Sequence, residues 1–321
     1  MAEINNIKKL RQRFVKDYNL PINVFDDTLF EYYMDTYDTF PHKVYNGLIE
    51  KVKTEYDGNV DKWLEYCASV RDAAIEGVMG TEEYKEFNTK NLHEYDIPNI
   101  CGERSCYTEA TDGKRFISID LKKANFQALK FVGVLNDNTY EDFIKKYGGD
   151  DYIVNSKYLR QVIFGKMNPS RQIKVEKYLM FQIYEAIKEV TDRYGLVIFS
   201  MNSDEIIYEV PNEFNYWDSR KLIPEIHRIV EEKLNKIEIK TQFVEVKRLP
   251  LVSFNGTKID AYERNDINTL DCTLKKASTT FYPQIYKLWK GKPIEKNDLV
   301  FYFENQLATF NEPIRREDND F

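Results

Sequence analysis

The sequence predicts an α+β protein: a helical N-terminal domain, a central sheet domain and a small C-terminal domain within 321 residues. Three observations carry this. Apolar residues recur at helical spacing through the first ~95 positions. From Arg115 onward, short β-rich runs alternate with helical stripes. After residue 250 the pattern shortens around Asn255-Gly256, Gly291 and Pro293.

In the N-terminal part, "NNIKKLRQRFVKDY" sets Ile7, Leu10, Phe14 and Tyr18 on one helical face. "DDTLFEYYMDTYDTF", "HKVYNGLIEKVKTEY" and "VDKWLEYCASVRDAAIEGVM" read as three more helices. Pro21 and Pro41 punctuate them and Gly80 ends the last. The stretch from Asn88 to Lys114 loses the helical period and reads as a linker. Domains are therefore expected at 1–95, 96–250 and 251–321.

In the second part, "RFISIDL" is a strand over 115–121, and "KKANFQALKFVGVL" carries a helical stripe of Phe126, Leu129 and Val132. "SKYLRQVIFGKM" is a short helix. A long helix follows, with Asn168 as N-cap, Pro169 at its first position and Gly195 as its stop. Its expected buried stripe is Ile173, Tyr178, Leu179, Ile183, Ile187 and Val190. "SMNSDEIIYEV" reads as a β-hairpin turning at Asn202 and Ser203. A helix containing Pro224 and an alternating strand, "EIKTQFVEVKRL", complete the set. The order β, helices, β, β, α, β is that of a ferredoxin-like (βαββαβ) sheet.

Composition narrows the function. A formal net charge of −7 argues against a protein that coats nucleic acid non-specifically, while leaving room for a local basic groove. No apolar run approaches the ~18 residues of a membrane span, and the N-terminus lacks the apolar core of a signal peptide. Cytoplasmic placement is expected, the host cytoplasm for a phage or viral protein. Abundant Asn, Lys, Ile and Tyr are consistent with an AT-rich source. Cys67, Cys101, Cys106 and Cys272 offer no second close pair to complete a zinc site and read as free thiols.

The topology has a chemical consequence. In a ferredoxin-like sheet the third strand lies antiparallel beside the first, so the end of strand one meets the hairpin turn. Asp120 ends strand one; Asp204 and Glu205 sit at the turn. Converging carboxylates repel, and a divalent cation is the usual remedy. Oxygen-only ligands favour Mg²⁺ or Mn²⁺. Strand alternation sends Asp204 and Glu205 to opposite faces, and Asp204 is the first choice as ligand. Lys157, Arg160, Lys166, Arg171 and Lys174, before and at the start of the long helix, are candidate phosphate-binding cations.

These segments resemble the motifs of palm-domain nucleic-acid polymerases. "FISIDLKKANFQAL" looks like motif A, "LRQVIFGKMNPSRQ" lies in the place of motif B, and "SMNSDEIIYEV" resembles motif C. The compact spacing is closest to reverse transcriptases and RNA-dependent polymerases, and the resemblance covers about 115–250. It implies a palm that extends a 3′-hydroxyl on a primer–template with nucleoside triphosphates. Asp120 would ligate both metals with help from the Leu121 carbonyl, Asp204 would be the second ligand and Glu205 the third. Asn125, five residues beyond Asp120, would meet the sugar and accept ribonucleotides; a one-residue slip would put Phe126 there and exclude them. Departures are the Ser-Asp-Glu of motif C and the lack of a clear motif B glycine signature, with Gly165 nearby. A catalytically degenerate palm that binds nucleic acid or assembles, a template-independent transferase or nucleotide cyclase, and a structural protein without nucleotide chemistry remain open.

"LPLVSFNGTKIDAYER" is expected to form a hairpin at Asn255-Gly256. The rest of the C-terminal domain reads as helices. Its Lys275, Lys276, Lys287, Lys290 and Lys292, with Tyr282, Tyr286 and Trp289, suit a thumb-like element holding nucleic acid, or a plain helical lid. The tail "RREDNDF" is expected to fray.

Overall fold

A computed structural model describes residues 3–37, 40–234, 237–304 and 306–317. The N-terminal region folds as α1 (Ile7–Tyr18), α2 (Asp27–Thr36), α3 (His42–Glu55), α4 (Val60–Met79) and α5 (Glu82–Thr89). Side-chain oxygens start four of them, with Asn6 accepting from the Lys9 N–H at α1. Asp26 accepts from the Thr28 and Leu29 N–H groups, Asn59 from Asp61 and Lys62, and Thr81 from Tyr84. Helix α5, with Glu82 and Glu83 in its first turn, was not anticipated. Leu10, Phe14, Phe30, Val52 and Trp63 are fully buried, each worth about 1.5–3 kcal/mol or more of burial.

Strand β1 (Arg115–Leu121) is followed by α6 (Ala124–Phe131), α7 (Tyr140–Lys146), α8 (Asp151–Asn155), α9 (Lys157–Gly165) and α10 (Pro169–Arg193). Then come β2 (Val197–Met201), β3 (Glu205–Glu209), α11 (Tyr216–Leu234) and β4 (Ile239–Arg248). Beyond them lie β5 (Leu251–Val252), β6 (Lys258–Ile259), β7 (Tyr262–Asp266), β8 (Cys272–Lys275), α12 (Tyr282–Trp289), β9 (Val300–Phe303), β10 (Gln306–Thr309) and β11 (Arg315–Arg316). Six strands form one antiparallel sheet in the order β2-β3-β1-β4-β7-β8. As the element order required, β3 lies antiparallel beside β1.

Register divides the sheet into two faces. Ile117, Ile119, Leu121, Ile206, Tyr208 and Phe243 join Leu179, Ile183 and Ile187 of α10 and Leu222 and Ile226 of α11 in the main core. That core is continuous with the N-terminal helices. On the other face, Phe116, Ile207, Val244, Val246 and Tyr262 form a smaller cluster with Cys106. Past that cluster, toward the C-terminal end of β1, this face carries charged and polar side chains.

Four expectations are corrected. Region 251–317 is not a set of helices: it holds seven strands and, among the described residues, one α-helix, and β7 and β8 extend the central sheet past residue 250. The strands that replace the expected helices pair with their neighbours in sequence, β8 with β7 and β10 with β9, and that pairing overrides local helical spacing. On α10, Ile173 is 42% exposed, while Val175, Glu176 and Met180 are buried, so the inward stripe is rotated. Asn168 does stand at the N-cap, but at φ 57° its side chain donates to Asn88 instead of capping the backbone. The Asn255-Gly256 hairpin forms as expected between β5 and β6, with Gly256 at φ +79°. Of the tail expected to fray, Arg315 and Arg316 instead form β11 and pair with β5, and residues from 318 lie outside the described residues.

Candidate functional site

The site grows from one strand register. Asp120 is paired with Glu205 of β3 on one side and Lys240 of β4 on the other. Directly paired residues share a face, so Asp120, Glu205 and Lys240 project together. The hairpin turn is closed by the Asn202 N–H donating to the Glu205 carbonyl at 2.8 Å. The Leu121 N–H donates to the Asp204 carbonyl, also at 2.8 Å, which ties the turn to the end of β1. Carboxylates 84 and 85 positions apart in sequence are thus joined by backbone pairing. Glu205, not Asp204, shares the face of Asp120 in the strand register; Asp204 precedes β3 and is exposed at the turn.

Glu205 is held in place. Its Oε1 accepts from Ser118 Oγ at 2.5 Å and lies 3.6 Å from the Arg264 guanidinium. Arg264 also donates to the Tyr107 hydroxyl at 3.1 Å and to Gln242 Oε1 at 3.2 Å. Both contacts to Glu205 fall on one oxygen, which leaves Oε2. Asp120 takes no hydrogen bond from the described residues. Burial first, then the charges of Asp204 and Glu205, push its carboxyl up to about 6. Asp204 is raised too, by desolvation and then by Glu205, with Lys157 pulling it back.

A fourth carboxylate was missed. Glu176 of α10 is 3% exposed and accepts from Asn125 Nδ2 at 2.6 Å. Desolvation first, and Asp204 next, raise it to about 7. On the sequence it interrupts an apolar helical stripe, the one local signal available. Its raised value has a sign. The stability tied to its protonated form is complete below the ordinary 4.5 and lost as pH rises through about 7. Glu176→Gln is therefore expected to be more stable than the parent by about 2–3 kcal/mol above that range and equal near pH 4. Urea denaturation at both pH values checks this; a less stable variant at pH 8 would contradict it.

The predicted nucleotide contacts separate. Asn125 stands by Glu176. Phe126 is a correction: it is 4% exposed and packs on Tyr140 and Phe143, so it cannot meet a sugar. Leu121 is buried at the end of β1. Lys157 opens α9, and its charge reaches Asp204 and Lys275. Arg160 lies over the Tyr140 ring at 5.8 Å. Lys166 is exposed at the far end of α9. Arg171 is a second correction: it donates to the Lys90 carbonyl and lies over Phe87, which ties α10 to α5. Lys174 pairs with Asp96 at 2.6 Å.

Beside the carboxylates, a cavity of about 380 Å³ opens over β1, β4, β7 and β8, lined by Asp120, Glu205, Lys240, Arg264 and Lys275 among others. Sequence reading missed Lys240 and Arg264 here and assigned Lys275 to a thumb, because the pairing of β7 with β4 is not visible locally.

The oxygen-only donors of Asp120, Asp204 and Glu205 suit Mg²⁺ or Mn²⁺, and a bound cation would relieve the repulsion that raises Asp120. Among the described residues no group of three or more His, Cys, Asp or Glu side chains is placed to hold a metal ion. No helix among them is long and apolar enough to cross a membrane. Compared with known proteins, the chain matches no family model, no curated protein and no solved structure.

Proposed function

We propose that the protein is a metal-dependent nucleotidyltransferase, a ferredoxin-like palm that extends a 3′-hydroxyl with nucleoside triphosphates as a reverse-transcriptase-like polymerase. The observation that carries this reading is the pairing of Asp120 with Glu205 while the Leu121 N–H holds the Asp204 carbonyl. It joins the motif A-like strand end to the motif C-like turn on an open face of the sheet. A divalent ion at these oxygens would lower the pKa of the attacking hydroxyl and neutralise the phosphates. Asp120 and Glu205, through its free Oε2, share one face of the sheet and would supply its first anionic ligands, and Asp204 would reach it from the turn. Lys157 would face the charge that develops on the departing pyrophosphate. Asn125, oriented by Glu176, would present a short polar group to the sugar, so ribonucleotides are expected to be accepted.

Primer extension tests it. Protein, Mg²⁺ or Mn²⁺, labelled nucleotides and primed or unprimed templates are incubated beside Asp120→Ala and Asp204→Ala. Extension that survives both substitutions overturns the site. One observation favours a second reading, a degenerate palm that binds nucleic acid without turnover: Glu205 already has Ser118 and Arg264 as partners. Nucleic-acid binding that needs no metal, with no extension on any template, would select it.

A further inference from the structure

A second cavity, of about 410 Å³, lies between α1, α3 and α8 and shares no lining residue with the one beside Asp120. Part of its wall is apolar. The rings of Tyr18 and Tyr152 meet edge to face at 5.8 Å, and Val44 and Leu48 of α3 add aliphatic surface. Gly47 lies on the same helical face as those two. A methyl group built on it would meet no atom within 4 Å, and its φ is not positive. Neither packing nor backbone geometry calls for glycine there. A glycine inside a helix is destabilising relative to alanine, and what this one provides is an open wall.

The polar groups around the cavity are short of donors. Among the described residues, Tyr18 Oη and Asn155 Oδ1 make no hydrogen bond, and Asp151 meets Lys145 through one oxygen, at 3.3 Å, leaving the other. The one cation of the lining, Lys51, is already shared between Asp150 at 2.6 Å and Glu55 at 3.0 Å. Tyr152 spends its hydroxyl on Asp17 at 2.8 Å and offers its ring alone.

We propose that this cavity binds a small planar aromatic molecule carrying N–H donors, of the amidine or amino-heterocycle class. The ring lies over Gly47 against Tyr18, Val44 and Leu48. Its donors satisfy Tyr18 Oη, Asn155 Oδ1 and the free oxygen of Asp151, the last as a charge-assisted bond. A cationic ring substituent is further favoured by the face of Tyr18. An anion of the same shape finds unused acceptors and no free cation. The volume falls in the range of small-molecule sites, ~300–1,000 Å³.

Ligand-observed NMR and calorimetry on the full chain test this, with benzamidine as probe and benzoate as its anionic counterpart. Benzamidine is expected to bind at about 1 mM, as befits a ligand of its size, and benzoate not to. Gly47→Leu fills the cavity from a position with room for a side chain and should weaken benzamidine at least about tenfold without lowering Tm. Tyr18→Phe removes only a hydroxyl and should weaken it about fivefold, the worth of one hydrogen bond. Asp271→Asn, in the other cavity, should leave it unchanged. Loss in the first two variants with retention in the third upholds the site. No benzamidine binding at ~10 mM, equal binding of benzoate, or unchanged binding in either Gly47→Leu or Tyr18→Phe overturns it.

Discussion

Asp120→Asn is expected to abolish Mg²⁺-dependent nucleotide incorporation, by at least about 10³-fold, and to leave a more stable protein. The activity loss follows from charge. Asparagine keeps the size of Asp120 but cannot balance a divalent ion, and ~10³-fold corresponds to about 4 kcal/mol of transition-state stabilisation. The stability gain follows from linkage. The Asp120 carboxyl is raised from 3.8 to about 6 by burial and by Asp204 and Glu205. The stability of its protonated form is complete below 3.8 and lost as pH rises through about 6. At neutral pH the parent therefore carries repulsion that the variant lacks. Allowing for solvent on the open side, the difference is about 1–2 kcal/mol. Mg²⁺ should raise the Tm of the parent and barely move that of the variant. Retention of a tenth of the activity, or a lower Tm at pH 7.5 in metal-free buffer, would sink the assignment.

The second large effect lies away from the carboxylates. Asp17 of α1 is fully buried and accepts from Arg13 Nε at 2.9 Å, the Tyr152 hydroxyl at 2.8 Å and Ser156 Oγ at 2.6 Å. Ser156 is the N-cap of α9, taking the Leu159 N–H at 3.0 Å, and Lys157 is the first residue of that helix. Asp17 thus anchors the element that carries a site cation. Asp17→Ala would strand the Arg13 guanidinium and two buried hydroxyls. Breaking a buried, hydrogen-bonded charge network of this kind costs about 3–5 kcal/mol. Guanidinium denaturation should show that loss, and a decrease under about 1 kcal/mol would contradict it. Asp17→Asn, which keeps the volume and one acceptor, should lose less and raise the nucleotide KM more than it lowers kcat, because Lys157 shifts.

What was legible in the residues follows from locality. Strand β1 and the hairpin of β2 and β3 are short alternating runs with a turn between them, so Asp120, Asp204 and Glu205 could be found and their meeting foreseen from element order. The preference for Asp204 over Glu205 was less secure. Alternation separates the two, but only the register with β1 decides which shares the face of Asp120, and that is Glu205. Arg171 and Lys174 looked like free cations because their partners, Lys90 and Asp96, lie in a segment with no periodicity to place it. Phe126 could be the gate only if the alignment slipped by one residue from Asn125, and one residue along a helix turns a side chain about 100°, here into the core.

By itself the sequence determined the α+β class, the helical N-terminal part, the strand order around β1 and the three carboxylates at its end. Each rests on periodicity or turn chemistry within a few residues. Tertiary structure alone decided that Glu176 of α10 faces the turn, and that β7 and β8 extend the sheet. It alone brought Lys240, Arg264 and Lys275 to the cavity beside Asp120. Those placements depend on contacts between segments tens of residues apart, where the energy lies in burial and charge and leaves no local pattern.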